Sequence, residues 1–486
     1  MSITILGLGP GDGRFFTQEA MAVLADANTV YLRTSSHPAV KDLPSHLELH
    51  DFDSVYEEAA DFQKVYQRIS DEIIDLGKGA AAAENGIIYA VPGNPLVGET
   101  TTKLILESAK LENVPVKVIA GLSFIEPTIN ALGLDGLDGL QIFDAVEIAG
   151  FNYPPIDNDI PALIAQVYSK LIASELKLSL SAIYPDEHQV VLVHAAGTDS
   201  QDLETVPLYM IDRSKKLSHL TSLYVLPLPD PASLNALAET IAILRGPDGC
   251  PWDQEQTSKS LRSGLLEEAS EVLIAIDTED NDSLAEELGD LLYHIVMQAQ
   301  IASEENLFSL SDIITGIRSK LIRRHPHIWD DWQVVNSKEV IQNWEYLKRT
   351  EKGELNSLMD NIPSALPALA RAQFIQNRVA KIGFDWDTIE GVKGKVDEEL
   401  GELERASDMR MKAHELGDIL SALVNLARWL GIDAEIALRE ANLRFEYRFR
   451  EMEQIATNRD LDLEIMEIED LEALWREAKK KVGSTT

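Results

Sequence analysis

The sequence predicts two fold classes in one chain: an α/β N-terminal half and an all-α C-terminal half. Three observations predict this. Short apolar runs ending in Gly/Pro loops recur as far as about residue 228 and then stop. After prolines at 227, 229 and 231, amphipathic helical periodicity dominates to the end. Within that second half, one acidic helical-hairpin pattern occurs twice.

Composition bounds the functions. A chain of 486 residues is long enough for two to four domains, and 45% hydrophobic content allows sizeable cores. No apolar run approaches the roughly 20 residues a membrane span needs. The start, MSITILGLGPGDG, lacks the basic segment of a secretory signal. The single cysteine, Cys250, excludes an internal disulfide framework and fits a reducing cytosol, so a cytoplasmic location is expected. A formal net charge of -38 argues against nucleic acid as a partner, because binding its backbone needs Lys/Arg-rich surface. Anionic substrates fit only where a metal or a local basic cluster handles their charge.

The first half opens with a short buried strand, ITILGL (3 to 8), running into Gly9-Pro10-Gly11-Asp12-Gly13; Thr17 then opens a helix. Strand, Gly-rich turn and helix start an α/β domain whose loop N–H groups can face a ligand, although a tight turn with no ligand reads the same way. TVYLR (29 to 33) is a second strand. GIIYAVPGNP (86 to 95) is a strand with a Gly/Pro loop, with a helix from Glu99, and residues 114 to 133 repeat the pattern. Such units place a cleft at the C-terminal ends of the strands. Later strands are expected at 145 to 149, 190 to 195 and 206 to 211, and LYVLPLPDPAS (223 to 233) reads as a linker.

GLGPGD with Thr17, SSHPAVKDLP (35 to 44), VPGNPLVGE (91 to 99) and GLSFIEPT (121 to 128) resemble the S-adenosylmethionine-dependent tetrapyrrole methylases over residues 1 to 228. The resemblance implies two α/β lobes with S-adenosylmethionine between them. By position, Leu8, Gly9, Pro10, Gly93, Asn94, Pro95, Val97 and Ser123 would line that site. Family members often carry Gly-Asp-Pro where this chain has Gly93-Asn94-Pro95. Nothing in the sequence names a methyl acceptor.

Residues 234 to 262 read as a helix followed by a CPWDQEQT stretch. Cys250 reads as packed rather than reactive, since no His or second Cys stands close in sequence. Trp252 reads as core, with base stacking as the alternative. The acidic hairpin follows, from Leu265 to Ile301. Leu265, Leu266, Ala269, Val272, Leu273 and Ile276 form one stripe, and Leu284, Leu288, Leu291, Leu292 and Ile295 the other. Glu268 with Glu271, and Glu287 with Asp290, stand three apart and share helix faces. Folded back antiparallel, both cross-pairs centre on residue 279, inside the turn-forming DTEDND. Four carboxylates can therefore converge. They repel unless a cation sits among them, and hard oxygen ligands select Mg2+ or Mn2+.

Behind the hairpin, GIRSKLIRRHPHIWDDW (316 to 332) gathers Lys320, Arg323, Arg324, His325 and His327. This is either a solvated helix end or a phosphate-binding cluster. The pattern then recurs over 395 to 430 with Glu399, Glu402, Glu415 and Asp418, centred between residues 408 and 409. Asp418 lies 128 residues after Asp290 and Glu402 lies 131 after Glu271, so the second copy has a turn three residues shorter. A lone EExxE on an acidic helix is weak; the paired arrangement found twice is a metal-site pattern. Arg444, Arg448 and Arg450 follow.

Both repeats resemble the MazG family of nucleoside triphosphate pyrophosphohydrolases. CPWDQEQT, LLEEASEV, EELGDLL and KLIRRHPHIW carry the likeness in the first. GFDW, DEELGELERA, HELGDILSALVNLARWL, EANLRFEYRF and LEALWREAK carry it in the second. The whole chain looks like the fused methylase–MazG proteins of YabN type. This implies domains 1–228, 229–350 and 351–486. It also implies helical hairpins pairing into four-helix bundles, often across a dimer, so a homodimer or higher homo-oligomer is expected. The implied reaction cleaves a nucleoside triphosphate to the monophosphate and pyrophosphate with Mg2+ or Mn2+. Glu267 or Glu398, the first acid of each EExxE, would act as base. Lys320, Arg323 and Arg324, or Arg444 and Arg448, would stabilise phosphate charge. The family often has Lys where Arg444 stands and Arg where Tyr447 stands. By the same analogy the second repeat is favoured as catalytic. Two other readings stay open: a chain that is chiefly a methyltransferase, and a methylase-like half that is a non-catalytic scaffold.

Overall fold

The computed structural model describes residues 3–58, 62–79, 86–352, 357–360 and 362–482. Two compact units divide the chain, Met1–Gln254 and Glu255–Thr486.

The first unit contains strands β1 (Ile3–Gly7), β2 (Thr29–Leu32), β3 (Glu48–Asp51), β4 (Ile87–Val91), β5 (Val116–Ile119), β6 (Gln141–Asp144), β7 (Ala162–Ala165), β8 (Gln189–His194), β9 (Asp202–Pro207) and β10 (Thr221–Val225). Its helices are α1 (Gln18–Ala25), α2 (Asp53–Glu58), α3 (Phe62–Gly79), α4 (Thr100–Leu111), α5 (Ile125–Leu132), α6 (Ala145–Ile148), α7 (Lys170–Leu180), α8 (Leu234–Arg245) and α9 (Pro251–Gln254). The first five strands form a parallel sheet in the order β3-β2-β4-β1-β5. A parallel sheet is covered on both faces, and β1 is buried throughout for that reason. Ile3 and Ile5 pack with Ile69, Ile73 and Ile105 of α3 and α4. Leu6 on the opposite face packs with Ala20 and Leu24 of α1. Thr17 caps α1, its hydroxyl accepting the Ala20 N–H at 3.1 Å.

The second sheet runs β6-β7-β10-β8-β9, with β6 parallel to β7 and the remaining pairs antiparallel. Here the structure corrects three expectations. The strand expected at 145 to 149 is helix α6; the strand lies just before it, and the Asp144 carboxylate accepts the Val146 N–H and starts the helix. The strand expected at 206 to 211 ends at Pro207, after which a 3-10 helix, Leu208–Arg213, buries Leu208 and Ile211 three residues apart. The presumed linker from 223 begins inside β10, the central strand of this sheet, where Leu223 and Val225 are fully buried. Prolines that looked like a linker signal lie after the strand. Strands β3 and β7 were not expected: β3, with sequence ELHD, is exposed and polar, so it carries no apolar alternation. Helices α8 and α9, beyond the expected boundary at 228, group with this unit. Trp252, expected in the core, is 64% exposed on the short α9, which buries Asp253 instead. Cys250 is partly buried and free.

Among the described residues the second unit is helical: α10 (Arg262–Asp277), α11 (Asn281–Glu304), α12 (Leu310–Arg324), α13 (Pro326–Trp329), α14 (Ser337–Lys352), α15 (Ala368–Ala380), α16 (Ile389–Arg405), α17 (Met409–Trp429), α18 (Ala434–Asn458) and α19 (Ile468–Val482). The α10–α11 turn centres on Glu279, whose φ of 55° lies in the left-handed region. Asp280 caps α11 by accepting from the N–H groups of Asp282 and Ser283. The α16–α17 turn spans 406–408, slightly before its expected centre, because Asp408 caps α17 by accepting the Met411 N–H at 2.8 Å. Arg439 of α18 reaches across to Asp277 of α10 at 2.9 Å and ties the two repeats. Much of the apolar stripe is uncovered within one chain: Leu266, Ile276, Leu288 and Leu292 are all more than 40% exposed. No described helix is long and apolar enough to cross a membrane.

Candidate metal centres and cofactor cavity

Each hairpin brings acids from its two helices together. In the first, Glu268 and Glu271 of α10 meet Glu287 of α11, with ligand oxygens within 4.8 Å of one another. The fourth expected acid, Asp290, stands outside this trio. Its charge still reaches Glu268: burial first, then Asp290 and Glu271, push the Glu268 carboxyl above its usual range. Burial and then Glu271 likewise raise Glu287. In the second hairpin Glu399, Glu402 and Glu415 converge in the same way. Asp418 is drawn off by His414, whose Nδ1 lies 2.9 Å from it, and His414, Glu415 and Asp418 make a further group. All oxygens of both trios are hard carboxylate donors, a set that suits Mg2+ or Mn2+.

The two trios differ in the basic side chain beside them. Beside Glu268 stands His294 of α11, buried, with Nε2 4.0 Å from the Glu268 carboxylate. Gly264 makes room for this ring; a Cβ there would lie 2.7 Å from Cε1. At the positions of Gly264 and His294 the second repeat carries Lys395 and Ala422. The Lys395 ammonium lies 2.8 Å from Glu399 and 2.9 Å from Glu398. Glu399 is 6% exposed, so this internal ion pair holds a nearly buried carboxylate in place. Sequence reasoning missed Lys395, His294 and His414. Their helical spacing from the acids was the available signal: Lys395 four before Glu399, His294 four after Asp290 and His414 four before Asp418.

The expected bases differ as well. Glu267 is exposed, whereas Glu398 accepts from Lys395. Of the expected phosphate-binding cations, Lys320 and Arg323 lie exposed on the end of α12, and the Arg324 guanidinium sits 5.4 Å over the Trp344 ring. Arg444 pairs with Glu440 at 3.5 Å, and Arg448 Nε is buried with no hydrogen-bond partner among the described residues. The GFDW stretch is structural: Asp385 accepts from both Arg428 and Trp429.

The first unit holds a cavity of about 510 Å³ at the C-terminal ends of β1 to β4, walled on its other side by residues around β7, β8 and β10. That volume is in the small-molecule range. Pro10, Gly93, Asn94 and Val97 line it. The other four expected cofactor residues do not. Leu8 and Pro95 are buried behind the loops. Gly9 and Gly93 exchange backbone hydrogen bonds of 3.2 and 2.8 Å, so those N–H groups are spent on the protein. Ser123 turns its hydroxyl to Glu126 at 2.6 Å. Asn94 ties the loops together: its Nδ2 donates to the Gly121 carbonyl at 2.9 Å, and its Oδ1 accepts the Leu96 N–H at 2.9 Å.

His37 also lines the cavity, and burial, helped by His219, lowers its pKa to about 4. The unfolded chain binds this proton near the ordinary 6.5. Between those values the unfolded state holds more protons, so stability is full above the upper one and falls as pH drops towards the lower. The difference corresponds to about 3 kcal/mol. His37→Gln should flatten the acid side of a stability-versus-pH curve by about that amount, as read by denaturant titration between pH 7 and 4.5.

Comparison with known proteins agrees with this division. Residues 256–329 match the MazG nucleotide pyrophosphohydrolase domain model, and residues 2–212 match that of the tetrapyrrole (corrin/porphyrin) methylases. A nucleoside triphosphate pyrophosphohydrolase of Escherichia coli (strain K12) is 47% identical over 246 residues, covering 49% of this chain and 94% of that protein. This chain belongs to the MazG family. A MazG pyrophosphohydrolase/pyrophosphatase of Thermotoga maritima is 44% identical over 237 residues, covering 49% of this chain and 91% of that protein. The fused architecture is shared too: YabN of Bacillus subtilis (strain 168) is 40% identical over 489 residues, which is 98% of either chain. The chain is thus a methylase–MazG fusion whose MazG part is its helical half.

Proposed function

We propose that the helical half is a Mg2+- or Mn2+-dependent nucleoside triphosphate pyrophosphohydrolase, releasing pyrophosphate and leaving the monophosphate. The observation that carries this reading is the convergence, in each hairpin, of three carboxylates from two helices. The relatives named as nucleoside triphosphate pyrophosphohydrolases support it. Glu268, Glu271 and Glu287 would hold the ion in the first repeat and Glu399, Glu402 and Glu415 in the second, with Asp290 and Asp418, which stand outside these trios, as the fourth ligand of each once turned in. When bound, the ion supplies positive charge to the triphosphate oxygens and acidifies a coordinated water. Glu398, or Glu267 in the first repeat, accepts the proton of the attacking water at its carboxylate. Arg444 and Arg448, or Lys320, Arg323 and Arg324, neutralise the phosphate oxygens.

The second repeat is the one we assign to turnover. Lys395 orders Glu398 and Glu399 before substrate arrives, and preorganised charge costs no rearrangement during the reaction. At the corresponding position the first repeat has only Gly264. The uncovered apolar stripes of α10, α11, α16 and α17 would pair with those of a second copy, giving a homodimer or higher homo-oligomer. The chain would work in the cytoplasm. The cavity of the first unit would bind S-adenosylmethionine, whether as methyl donor or as the ligand of a scaffold.

The test is pyrophosphate release from a panel of nucleoside triphosphates, with Mg2+ or with EDTA, on wild type and on Asp290→Ala and Asp418→Ala separately. We expect metal-dependent release that Asp418→Ala lowers at least tenfold and Asp290→Ala leaves within about threefold. A wild type inert on every nucleotide would overturn the hydrolase reading.

A further inference from the structure

The cavity of the first unit has a charge balance that points to its ligand. Its formally charged lining residues are Arg33, Asp53 and Glu99, with His37 and His219 as the other ionisable groups. Arg33 is already committed. Its Nη1 donates to Glu99 at 2.5 Å and its Nε to the Tyr56 hydroxyl at 3.0 Å. Arg33 is thus held in an ion pair with Glu99, whose carboxyl burial pushes up, and His37 is neutral at pH 7. Asp53 is the acid of this lining with no cationic partner among the described residues. Its carboxylate accepts from the backbone N–H and the hydroxyl of Ser35. Burial alone would raise Asp53, but the hydrogen bonds from Ser35 and Thr34 outweigh it and keep the carboxyl ionised. The cavity's aromatic lining comes from separate elements: Tyr56, three residues after Asp53, Phe124 after β5 and Tyr168 after β7. An ionised carboxylate with aromatic rings, and no uncommitted Lys or Arg in the lining, is the chemistry of a cation site.

Position separates this end from the expected cofactor loops. Those loops follow β1 and β4, whereas Asp53 follows β3, the edge strand. β3 is two places from β4 and three from β1, roughly 10 and 14 Å at the usual strand spacing.

We propose that the Asp53 end of the cavity binds the ammonium group of a small amine, so that the second ligand of this unit is cationic rather than a polycarboxylate macrocycle. Such macrocycles present several carboxylates, which the Asp53 carboxylate would repel. Only the word "second" rests on the reading of the cavity as an S-adenosylmethionine site; the cation site stands on Asp53 and the aromatic lining of the cavity.

The test is calorimetric titration of the full chain with putrescine as cationic probe and uroporphyrin III as polycarboxylate probe. Each is run with and without saturating S-adenosylhomocysteine, which lacks the sulfonium charge of the methyl donor. We expect putrescine to bind alongside S-adenosylhomocysteine, at least tenfold weaker in Asp53→Asn, and uroporphyrin III not to bind. Tyr168→Leu changes a side chain that is 38% exposed, so folding is not at issue, and it should weaken putrescine severalfold. Uroporphyrin III binding without putrescine binding overturns the proposal. So does putrescine binding that both variants leave unchanged, or that S-adenosylhomocysteine displaces. If S-adenosylhomocysteine fails to bind while putrescine binds and loses affinity in Asp53→Asn, the cation site holds and the cofactor reading fails.

Discussion

Glu399→Ala should lower metal-dependent pyrophosphate release by about a hundredfold or more, while Glu268→Ala should leave it within about threefold. Glu399 is the least exposed acid of either trio and has two partners to lose. Its carboxylate would be a direct metal ligand, and it also fixes the Lys395 ammonium at 2.8 Å. Alanine removes a ligand and leaves Lys395 paired with Glu398 alone, so the proposed base is drawn further into an ion pair just as the metal loses its anchor. The change is read in kcat with saturating Mg2+, alongside circular dichroism to show that α16 and α17 remain folded. Restoring a carboxylate with Glu399→Asp should recover part of the activity if charge at this point is what matters. In the first repeat, Glu268 loses a crowded site whose mutual repulsion burial and Asp290 already aggravate. Its removal relieves that repulsion and touches no proposed turnover.

Gly121→Ala should cost the first unit about 3 kcal/mol or more. A Cβ at residue 121 would lie 2.4 Å from the Gly93 carbonyl oxygen and 2.8 Å from the Gly7 carbonyl carbon. Both are backbone atoms that no side-chain rotation can move. Gly7, Gly93 and Gly121 stand where β1, β4 and β5 end, so the strain would open the loops that carry Asn94 and the expected cofactor residues. Gly136→Ala is the control: its Cβ would meet nothing within 4 Å, and the backbone there is not left-handed. Denaturant unfolding of the two variants should differ by several times the control's own shift.

The helical half was more legible than the α/β half, and the reason is physical. Helix faces repeat every three to four residues, so Glu268, Glu271 and Glu287 could be placed together from their numbers alone once the turn was located. The same arithmetic placed Asp290 and Asp418 with them, but it counted acids alone and passed over His414, four residues before Asp418 and a competing partner for it. It likewise passed over the position one turn before Glu268 and Glu399, where Gly264 and Lys395 make the two sites different. In the α/β half, β1 and β4 are buried along their whole length and announced themselves as largely apolar runs, and the partly buried β2 and β5 were legible from their β-branched and apolar residues. Short strands did not. β3 is polar and exposed, and β10 was hidden by the prolines that follow it. Ala145 to Ile148 looked like a strand because its apolar content is the same in either conformation; the Asp144 cap decides for the helix. The cavity's proposed cation end was out of reach of motif reasoning, since Asp53 and Tyr168 come from separate elements and only the fold brings both to one cavity.

The most direct measurement is product analysis by anion exchange after incubating a nucleoside triphosphate and Mg2+ with wild type and with the Glu268→Ala/Glu399→Ala double variant. Wild type should give monophosphate and pyrophosphate in equal amounts, and the double variant neither. Diphosphate and free phosphate from wild type, or undiminished pyrophosphate from the double variant, would contradict the pyrophosphohydrolase reading.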